Sequence, residues 1–312
     1  MKPTDTSEKG LEQLIVRHLA GISEQPQAQD WAAGEVGAMY APGGYVLGRA
    51  SDYHRDVALD VVQLLAFLKA TQSTVVTELE LANEGIKRTQ FLHRIQGEIA
   101  KRGVVDVLRK GVSHANGGGT VHVDLYKLLP TPGNASAFEN FGKNIFSVTR
   151  QLRYSNDELQ RSLDMVIFIN GLPVLTFELK NSLTKQTVAD AVTQYQSDRN
   201  PKELLFQLGR CVAHMAVDDA EVRFCTHLTG KTSWFLPFNQ GWNHGAGNPP
   251  NPDGLKTDYL WKQVLQKNSL ANIIENFTQI VEEEDEKGKK RRKQVFHRFH
   301  QLRAVRTLFC LS

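Results

Sequence analysis

The stretch that decides the fold is residues 162–182, SLDMVIFINGLPVLTFELKNS. Two apolar runs, at 163–169 and 172–180, flank the dipeptide Asn170-Gly171. Asn-Gly between two such runs is the strongest short-range signal for a β-hairpin. Both runs are apolar on both faces, as in strands that other elements cover on each side of a sheet. The sequence therefore predicts a buried hairpin at the centre of the fold.

Three charged side chains interrupt this apolar hairpin. Asp164 lies at the start of the first strand, and Glu178 and Lys180 lie at the end of the second. An unpaired buried charge is costly, so these residues need an explanation. One interpretation is a buried Glu–Lys ion pair or a solvated end of the sheet. The other is a magnesium site, because Mg²⁺ binds carboxylate oxygens together with substrate phosphate and a lysine beside it suits an attacking water.

The register of the hairpin decides whether a shared metal is feasible. With a regular two-residue turn, Asp164 faces Phe177, and Glu178 points through the opposite face of the sheet. The two carboxylates could not then share an ion. A three-residue loop or a β-bulge reverses the parity and brings Asp164, Glu178 and Lys180 to one face. Metal chemistry at this hairpin therefore requires an odd loop or a bulge.

The remaining sequence predicts helices and strands around the hairpin. Apolar residues spaced by three and four indicate helices, and strict alternation indicates strands. The predicted helices are 11–20, 56–69, 87–101, 187–196 and 269–281, and the predicted strands are 120–126, 145–152, 211–217 and 221–226. Residues 31–49 and 241–258 are predicted loops, and the acidic and basic runs at 282–286 and 287–293 are interpreted as a solvated linker.

Composition excludes several classes of protein. The chain has 312 residues, of which 41% are hydrophobic, so it is not globally disordered. Its net charge of +3 is too small for a basic tail that binds nucleic acid through charge alone. Its three cysteines never form a C-x-x-C, which argues against a disulfide framework or a zinc ribbon. The sequence shows no secretory leader, no apolar run of about 18 residues and no G-x-x-x-x-G-K-[ST] motif. It predicts a cytoplasmic protein with no membrane segment.

The motif D-x₁₃-E-x-K across a hairpin, followed by a helix with a glutamine, resembles the core of PD-(D/E)-x-K nucleases. More specifically, residues 162–182 followed by DAVTQYQSDR resemble the amino-terminal nuclease domain of the restriction (R) subunit of type I restriction–modification systems. The resemblance implies an α/β fold with a restriction-endonuclease-like core, in which helices flank a central mixed β-sheet. It also implies an endonuclease domain at 1–240. Residues 241–312 would then form a loop, a helix and a charged lead-in to a helicase-like motor domain that is absent here.

The resemblance assigns a role to each residue of the motif. Asp164 and Glu178 would hold Mg²⁺, with the backbone carbonyl of Leu179 as a third protein ligand. Lys180 would orient or activate the attacking water and stabilise charge on the scissile phosphate. Gln194 would position the DNA backbone.

Four positions outside the central motif can also be compared with the family's pattern. Leu163 stands where a proline is frequent in the superfamily, and Asp198 occupies the tyrosine position of the Q-x-x-x-Y motif, with Tyr195 at another point of the helix. Glu12 resembles an extra helical acid that some members place beside the metal, and it equally fits an ordinary exposed helix acid. Gln301 resembles the glutamine that contacts adenine in the motor of a full-length subunit.

The function implied by the resemblance is Mg²⁺-dependent cleavage of double-stranded DNA by a type I site-specific deoxyribonuclease. Its partners would be the methyltransferase (M) and specificity (S) subunits, and ATP would act only in a full-length subunit. The alternative is a docking and DNA-holding module that does not cut by itself. Metal-dependent nicking of a plasmid separates the two hypotheses.

A few further residues have both a structural and a functional interpretation. Trp234, Trp242 and Trp261 could stack on bases, but packing in the core is the favoured interpretation. His297 and His300 are interpreted as surface residues rather than metal ligands.

Overall fold

A computed structural model of the chain describes residues 8–21, 43–131, 133–157, 161–284, 288 and 290–310. The strands are β1 (Val46–Leu47), β2 (Tyr53–His54), β3 (Leu59–Asp60), β4 (Val112–Ala115), β5 (Thr120–Val123), β6 (Phe146–Arg153), β7 (Ser162–Ile169), β8 (Leu172–Leu179), β9 (Ala213–Val217), β10 (Val222–Cys225), β11 (Leu236–Pro237), β12 (Gln279–Glu284) and β13 (Lys290–Val295). The α-helices are α1 (Glu8–Ala20), α2 (Val61–Thr71), α3 (Ser73–Glu78), α4 (Ile86–Arg102), α5 (Val104–Lys110), α6 (Ala135–Gly142), α7 (Val188–Ser197), α8 (Lys267–Asn272) and α9 (Phe299–Cys310).

The main sheet has seven strands in the order β1-β6-β7-β8-β9-β10-β11. The pairs β1–β6 and β8–β9 are parallel, and the other neighbouring pairs are antiparallel. The pairs β2–β3, β4–β5 and β12–β13 form separate two-stranded ribbons. This mixed sheet with flanking helices confirms the predicted α/β fold class and is consistent with a restriction-endonuclease-like core.

Both faces of the sheet are buried, as the apolar strands predict. Ile167 of β7 packs into a large hydrophobic cluster that includes Leu64 of α2. Val166 and Phe168 point the other way, into a second cluster that includes Tyr195 of α7. We call this second side the α7 face.

The Asn170-Gly171 turn is buried, although turns of this type usually lie in solvent. Both residues have positive φ, +50° and +79°, as a type I′ turn requires. The Asn170 side chain accepts a hydrogen bond from the Ile145 N–H at 2.7 Å and donates to the Leu125 carbonyl at 3.0 Å. It also donates to Asn144 Oδ1 at 2.9 Å. The turn therefore connects the hairpin to the segment that precedes β6.

The hairpin carries a β-bulge close to this turn. Residues next to the turn pair as a two-residue loop dictates, but the register shifts by one between Ile167 and Phe168. The extra residue on β8 is Val174, which lies between Pro173 and Leu175. The partners are Ile169–Leu172, Phe168–Pro173, Ile167–Leu175, Val166–Thr176 and Met165–Phe177. The structure thus has the bulge that shared metal binding requires.

The charged stretch and the segment before it differ from the prediction. The helix predicted at 269–281 is present but ends earlier, because α8 (Lys267–Asn272) continues as a π-helical turn only to Phe277 and β12 follows. The linker interpretation is wrong for 282–284 and 290–293, because these residues form β12 and β13, in which acids lie opposite cations. Their side chains are mostly exposed to solvent, as predicted. Opposite charges directly across a ribbon stabilise it. The pairs are Glu282–Arg292, Glu283–Arg291 and Glu284–Lys290. Residues 285–287 and 289 lie outside the described residues.

Several smaller predictions need correction. Trp261 is buried as expected, but Trp234 and Trp242 are 76% and 48% exposed, so core packing is wrong for both. His297 is buried, whereas His300 is exposed as predicted. The helix predicted at 56–69 begins later, after β3, with the Asp60 side chain accepting a hydrogen bond from the N–H of Gln63 as its N-cap.

The segment after residue 240 contributes to the same hydrophobic cluster as the sheet. Tyr259, Leu260 and Phe299 belong to the large cluster that contains Ile167. The predicted boundary between 1–240 and 241–312 stays a prediction. In the described part of the chain, no helix combines the length and apolar character that a bilayer span needs.

Gly171→Ala should destabilise the protein strongly. A Cβ at this position would lie 2.2 Å from the Asp60 carbonyl oxygen and 2.8 Å from the Leu64 nitrogen. Gly117→Ala is a matched control, because Gly117 has the same φ of +79° but no neighbour within 4 Å. We expect a cost of about 1–2 kcal/mol in the control from backbone strain alone, and at least about 3 kcal/mol in Gly171→Ala. Urea denaturation measures both, and equal costs would show that the turn is not packed as described.

Candidate active site

The bulge places the predicted acids on one face of the sheet. The register of Met165–Phe177, continued by one residue, sets Asp164 opposite Glu178. Asp164 Oδ2 accepts a hydrogen bond from the Leu179 N–H at 2.8 Å, so the two strand ends are joined by a side chain as well. Lys180 follows two residues after Glu178 and is buried beside it. The structure thus brings together the three charged residues that the motif contains.

Glu178 is fully buried, and its two oxygens have different surroundings. Oε1 accepts the Nε–H of Arg199 at 2.6 Å, and Arg199 Nη2 is also 2.6 Å away. Oε2 is buried and has no hydrogen-bond partner among the described residues. Hydrogen bonding therefore holds Oε1 in place, whereas Oε2 is buried without a hydrogen-bond partner among the described residues.

Arg199 is a site residue that the sequence analysis missed. It follows the end of α7 and is buried, and its Nη2 donates to the Ser162 carbonyl at 2.9 Å. The Tyr154 ring lies under the guanidinium, 5.7 Å from its central carbon. Arg199 lies beyond Ser197, the last residue of α7, so helical periodicity gave no signal for it in the sequence.

Opposing electrostatic effects act on the buried carboxyl group of Glu178. Burial, with the neighbouring Asp164 carboxylate, raises the pKa of Glu178 well above its ordinary value of 4.5. Arg199 and Lys180 act in the opposite direction on the same pKa. Burial opposes the charge of Arg199, but the Glu178 carboxylate holds the pKa of this guanidinium above its ordinary value. Burial and the neighbouring acid thus favour the neutral form of Glu178, and the two nearby cations oppose this effect.

Glu12 lies in the hydrogen-bond network of the site. It is buried, so the alternative of an exposed helix acid is wrong. It forms an ion pair with Arg150, and its Oε2 accepts from Gln151 Nε2 at 2.8 Å. The same Nε2 lies 3.5 Å from Asp164 Oδ1. Glu12 thus reaches Asp164 through one side chain, and its role as a metal ligand stays a prediction.

The inner side of α7 presents Tyr195 to the sheet. Its hydroxyl shares a hydrogen bond of 2.8 Å with Thr176, which lies two residues before Glu178, and Thr176 contacts His214 Nδ1 at 2.8 Å. Burial lowers the pKa of His214 to about 3, so its imidazole is neutral. Gln194, the residue before Tyr195 on the helix, is half-buried. Its contact with the DNA backbone stays a prediction.

Asp198, which directly precedes Arg199, and Gln301 are the two remaining predicted positions. Asp198 is exposed, and its carbonyl accepts a hydrogen bond from Arg161. Gln301 lies in the first turn of α9, where its Oε1 accepts the Arg298 N–H at 2.8 Å. The part of the chain that the structure describes holds no cluster of three or more His, Cys, Asp or Glu that could bind a metal. A cation here would therefore rest on Asp164 and Glu178, completed by backbone, water or phosphate oxygens.

The seven-stranded mixed sheet with flanking helices is consistent with the class of domains that have a restriction-endonuclease-like core. The family model described as the N terminus of the type I restriction enzyme R protein matches residues 58–233, more than half of the chain. The chain belongs to this family. It is also 36% identical over 74 residues to the putative type I restriction enzyme MjaIXP endonuclease subunit of Methanocaldococcus jannaschii. That match covers 22% of this chain and only 7% of the relative.

Glu178→Gln should stabilise the metal-free protein at neutral and alkaline pH. Because the folded pKa of Glu178 lies above 4.5, the stability that the neutral acid contributes is complete below pH 4.5. That stability is lost as the pH rises through the folded pKa. Glutamine has the shape of the neutral acid and does not titrate. The variant should therefore match wild type in acid and exceed its free energy of unfolding as the pH rises.

Urea denaturation in the presence of a chelator, repeated over a pH series, measures the difference. Glu84→Gln is the control, because the Glu84 side chain is 88% exposed and its loss should leave the pH dependence unchanged. A difference between Glu178→Gln and wild type that does not grow with pH would contradict the assignment of a raised pKa.

Proposed function

We propose that this chain is the Mg²⁺-dependent nuclease part of a type I restriction enzyme R subunit and hydrolyses phosphodiester bonds in duplex DNA. The observation that carries the proposal is the β-bulge, which puts Asp164, Glu178 and Lys180 on one face. A regular hairpin of the same sequence would separate the two carboxylates. Family membership and the name of the archaeal relative, an endonuclease subunit, support the same assignment.

The residues of the site fit a magnesium ion. Glu178 Oε2 is a buried hard ligand with no hydrogen-bond partner among the described residues. Mg²⁺ binds through one or two carboxylates and completes its octahedron with water and phosphate oxygens. Asp164, Glu178 and the Leu179 carbonyl would hold the ion, with Glu12 as an outer acid. Bound there, Mg²⁺ would act as a Lewis acid on the phosphate and lower the pKa of an attacking water.

The protein's own side chains would do the remaining work. Lys180 is fixed by its backbone N–H, which donates to the Val217 carbonyl of β9 at 2.8 Å. Its ammonium group would orient the water and stabilise the negative charge that develops on the phosphate. Gln194, half-buried on α7, would hold the DNA backbone in position. Tyr195 keeps α7 on the sheet through Thr176.

The biological setting is part of the same proposal. The chain would act in the cytoplasm on double-stranded DNA, as part of a complex with methyltransferase and specificity subunits. The specificity subunit would supply the recognition sequence. ATP would enter only through the motor of a full-length R subunit. The alternative, a DNA-holding module that does not cut by itself, predicts DNA binding without nicking.

Glu178→Gln and Lys180→Met should each reduce plasmid nicking by at least about 100-fold, because one removes a metal ligand and the other a charge-stabilising group. Glu84→Gln, at the exposed surface, should cut like wild type. Supercoiled plasmid with Mg²⁺ or with a chelator gives the rates, and gel shifts give DNA binding. Wild-type rates in Glu178→Gln would contradict the proposal. DNA binding without any Mg²⁺-dependent nicking by wild type would favour the holding module.

The chain should not bind ATP. Its 312 residues contain no G-x-x-x-x-G-K-[ST] loop, and Gln301 Oε1 already accepts a backbone N–H. One or two hydrogen bonds to adenine, at about 1 kcal/mol each, fall far short of the roughly 8 kcal/mol of micromolar binding. Nicking should therefore need Mg²⁺ and be indifferent to ATP. Calorimetry tests this, and a micromolar dissociation constant for ATP would contradict it.

A further inference from the structure

The contact between Arg199 and Glu178 is unusual because two of the three guanidinium nitrogens approach the same carboxylate oxygen. Nε and Nη2 are each 2.6 Å from Oε1. A common arginine–carboxylate pair uses both oxygens, one for each nitrogen. Here the second oxygen, Oε2, stays buried with no hydrogen-bond partner among the described residues. The arginine thus engages one half of the carboxylate and leaves the other half for a different ligand.

The position of Arg199 does not depend on Glu178 alone. Nη2 also donates to the Ser162 carbonyl at 2.9 Å, and the guanidinium lies over the Tyr154 ring. Ser162 is the first residue of β7, so this anchor is part of the sheet itself. Two contacts besides Glu178 itself therefore hold the guanidinium against Oε1 before any cation binds.

This arrangement limits how Glu178 can bind a metal. Oε1 accepts the Nε–H of Arg199 and lies 2.6 Å from the charged Nη2, so the guanidinium occupies this side of the carboxylate and repels a second cation there. Coordination of one ion through both oxygens is therefore disfavoured. Mg²⁺ needs near-ideal octahedral geometry at about 2.0–2.1 Å and binds carboxylates through single oxygens. Ca²⁺ takes six to eight ligands at roughly 2.3–2.6 Å and readily uses both oxygens of a carboxylate. A carboxylate reduced to one oxygen suits the smaller ion.

We propose that Arg199 is a positioning residue that presents Glu178 to the metal through Oε2 alone, and that it thereby makes the site select Mg²⁺ over Ca²⁺. The inference rests on the proposed function, because it takes Glu178 as a ligand of the metal. It adds the residue that determines which divalent cation the site prefers.

The test compares the affinities of Mg²⁺ and Ca²⁺ for metal-free full chain at one fixed pH by titration calorimetry. Arg199→Met removes the guanidinium and frees Oε1, so the Ca²⁺-to-Mg²⁺ affinity ratio should rise by about tenfold or more. Arg199→Lys keeps a cation against Oε1 and should stay closer to wild type. Arg223→Met is the control, because this arginine pairs with Glu221 at the surface and its loss should leave the ratio unchanged.

Thermal melts establish that each variant is folded, and Arg199→Gln serves as the neutral variant if Arg199→Met does not fold. An unchanged ratio in the folded neutral variant would overturn the inference, because a merely structural arginine alters stability without altering the choice of ion. Glu178→Gln separates this failure from failure of the proposed function. If Glu178→Gln binds Mg²⁺ as wild type does, the metal site itself is wrongly assigned.

Discussion

Side chains alternate between the two faces of a β-strand, so one extra residue moves every side chain beyond it to the other face. In β8 that residue is Val174, and the acids at the end of the hairpin lie beyond it. Asp164 and Glu178 meet because of this bulge, and α7 with Arg199 packs on the face where they meet. The residues of the motif are therefore not enough to form a metal site, because the backbone geometry decides whether their side chains can reach the same ion.

The charged cluster at the end of this hairpin lowers the stability of the folded protein. Two carboxylates, a lysine and an arginine are buried together. The free-energy cost of desolvating such charged groups can exceed the free energy gained from their mutual attraction. Glu178 shows this in its raised pKa and in an oxygen left without a hydrogen bond among the described residues. Such a cost is typical of a site that keeps its groups oriented for a ligand rather than for its own stability. The apolar packing on both faces of β7 and β8 supplies the rigidity that makes this orientation possible.

The sequence predicted most of what is local and little of what is long-range. The hairpin, its burial and the need for a bulge followed from alternation and parity, and Pro173 was an unused signal, since proline inside a strand often marks a bulge. Arg199 could not be assigned, because its partner Glu178 lies 21 residues earlier and only the path of α7 brings them together. The β12–β13 ribbon was missed because segregated charge was interpreted as a linker, whereas opposite charges lie across from each other on two paired strands.

The buried turn has a consequence for how the chain acquires its structure. Asn-Gly hairpins usually form early, because their contacts are close in sequence. Here the Asn170 side chain bonds to Leu125 and Ile145, which lie 45 and 25 residues away, and the Gly171 carbonyl accepts the N–H of Asp60. Loop-closure entropy must be overcome before these partners meet. The most local element of the sheet is therefore completed only when distant segments have arrived, which makes assembly of this domain a slow, non-local process.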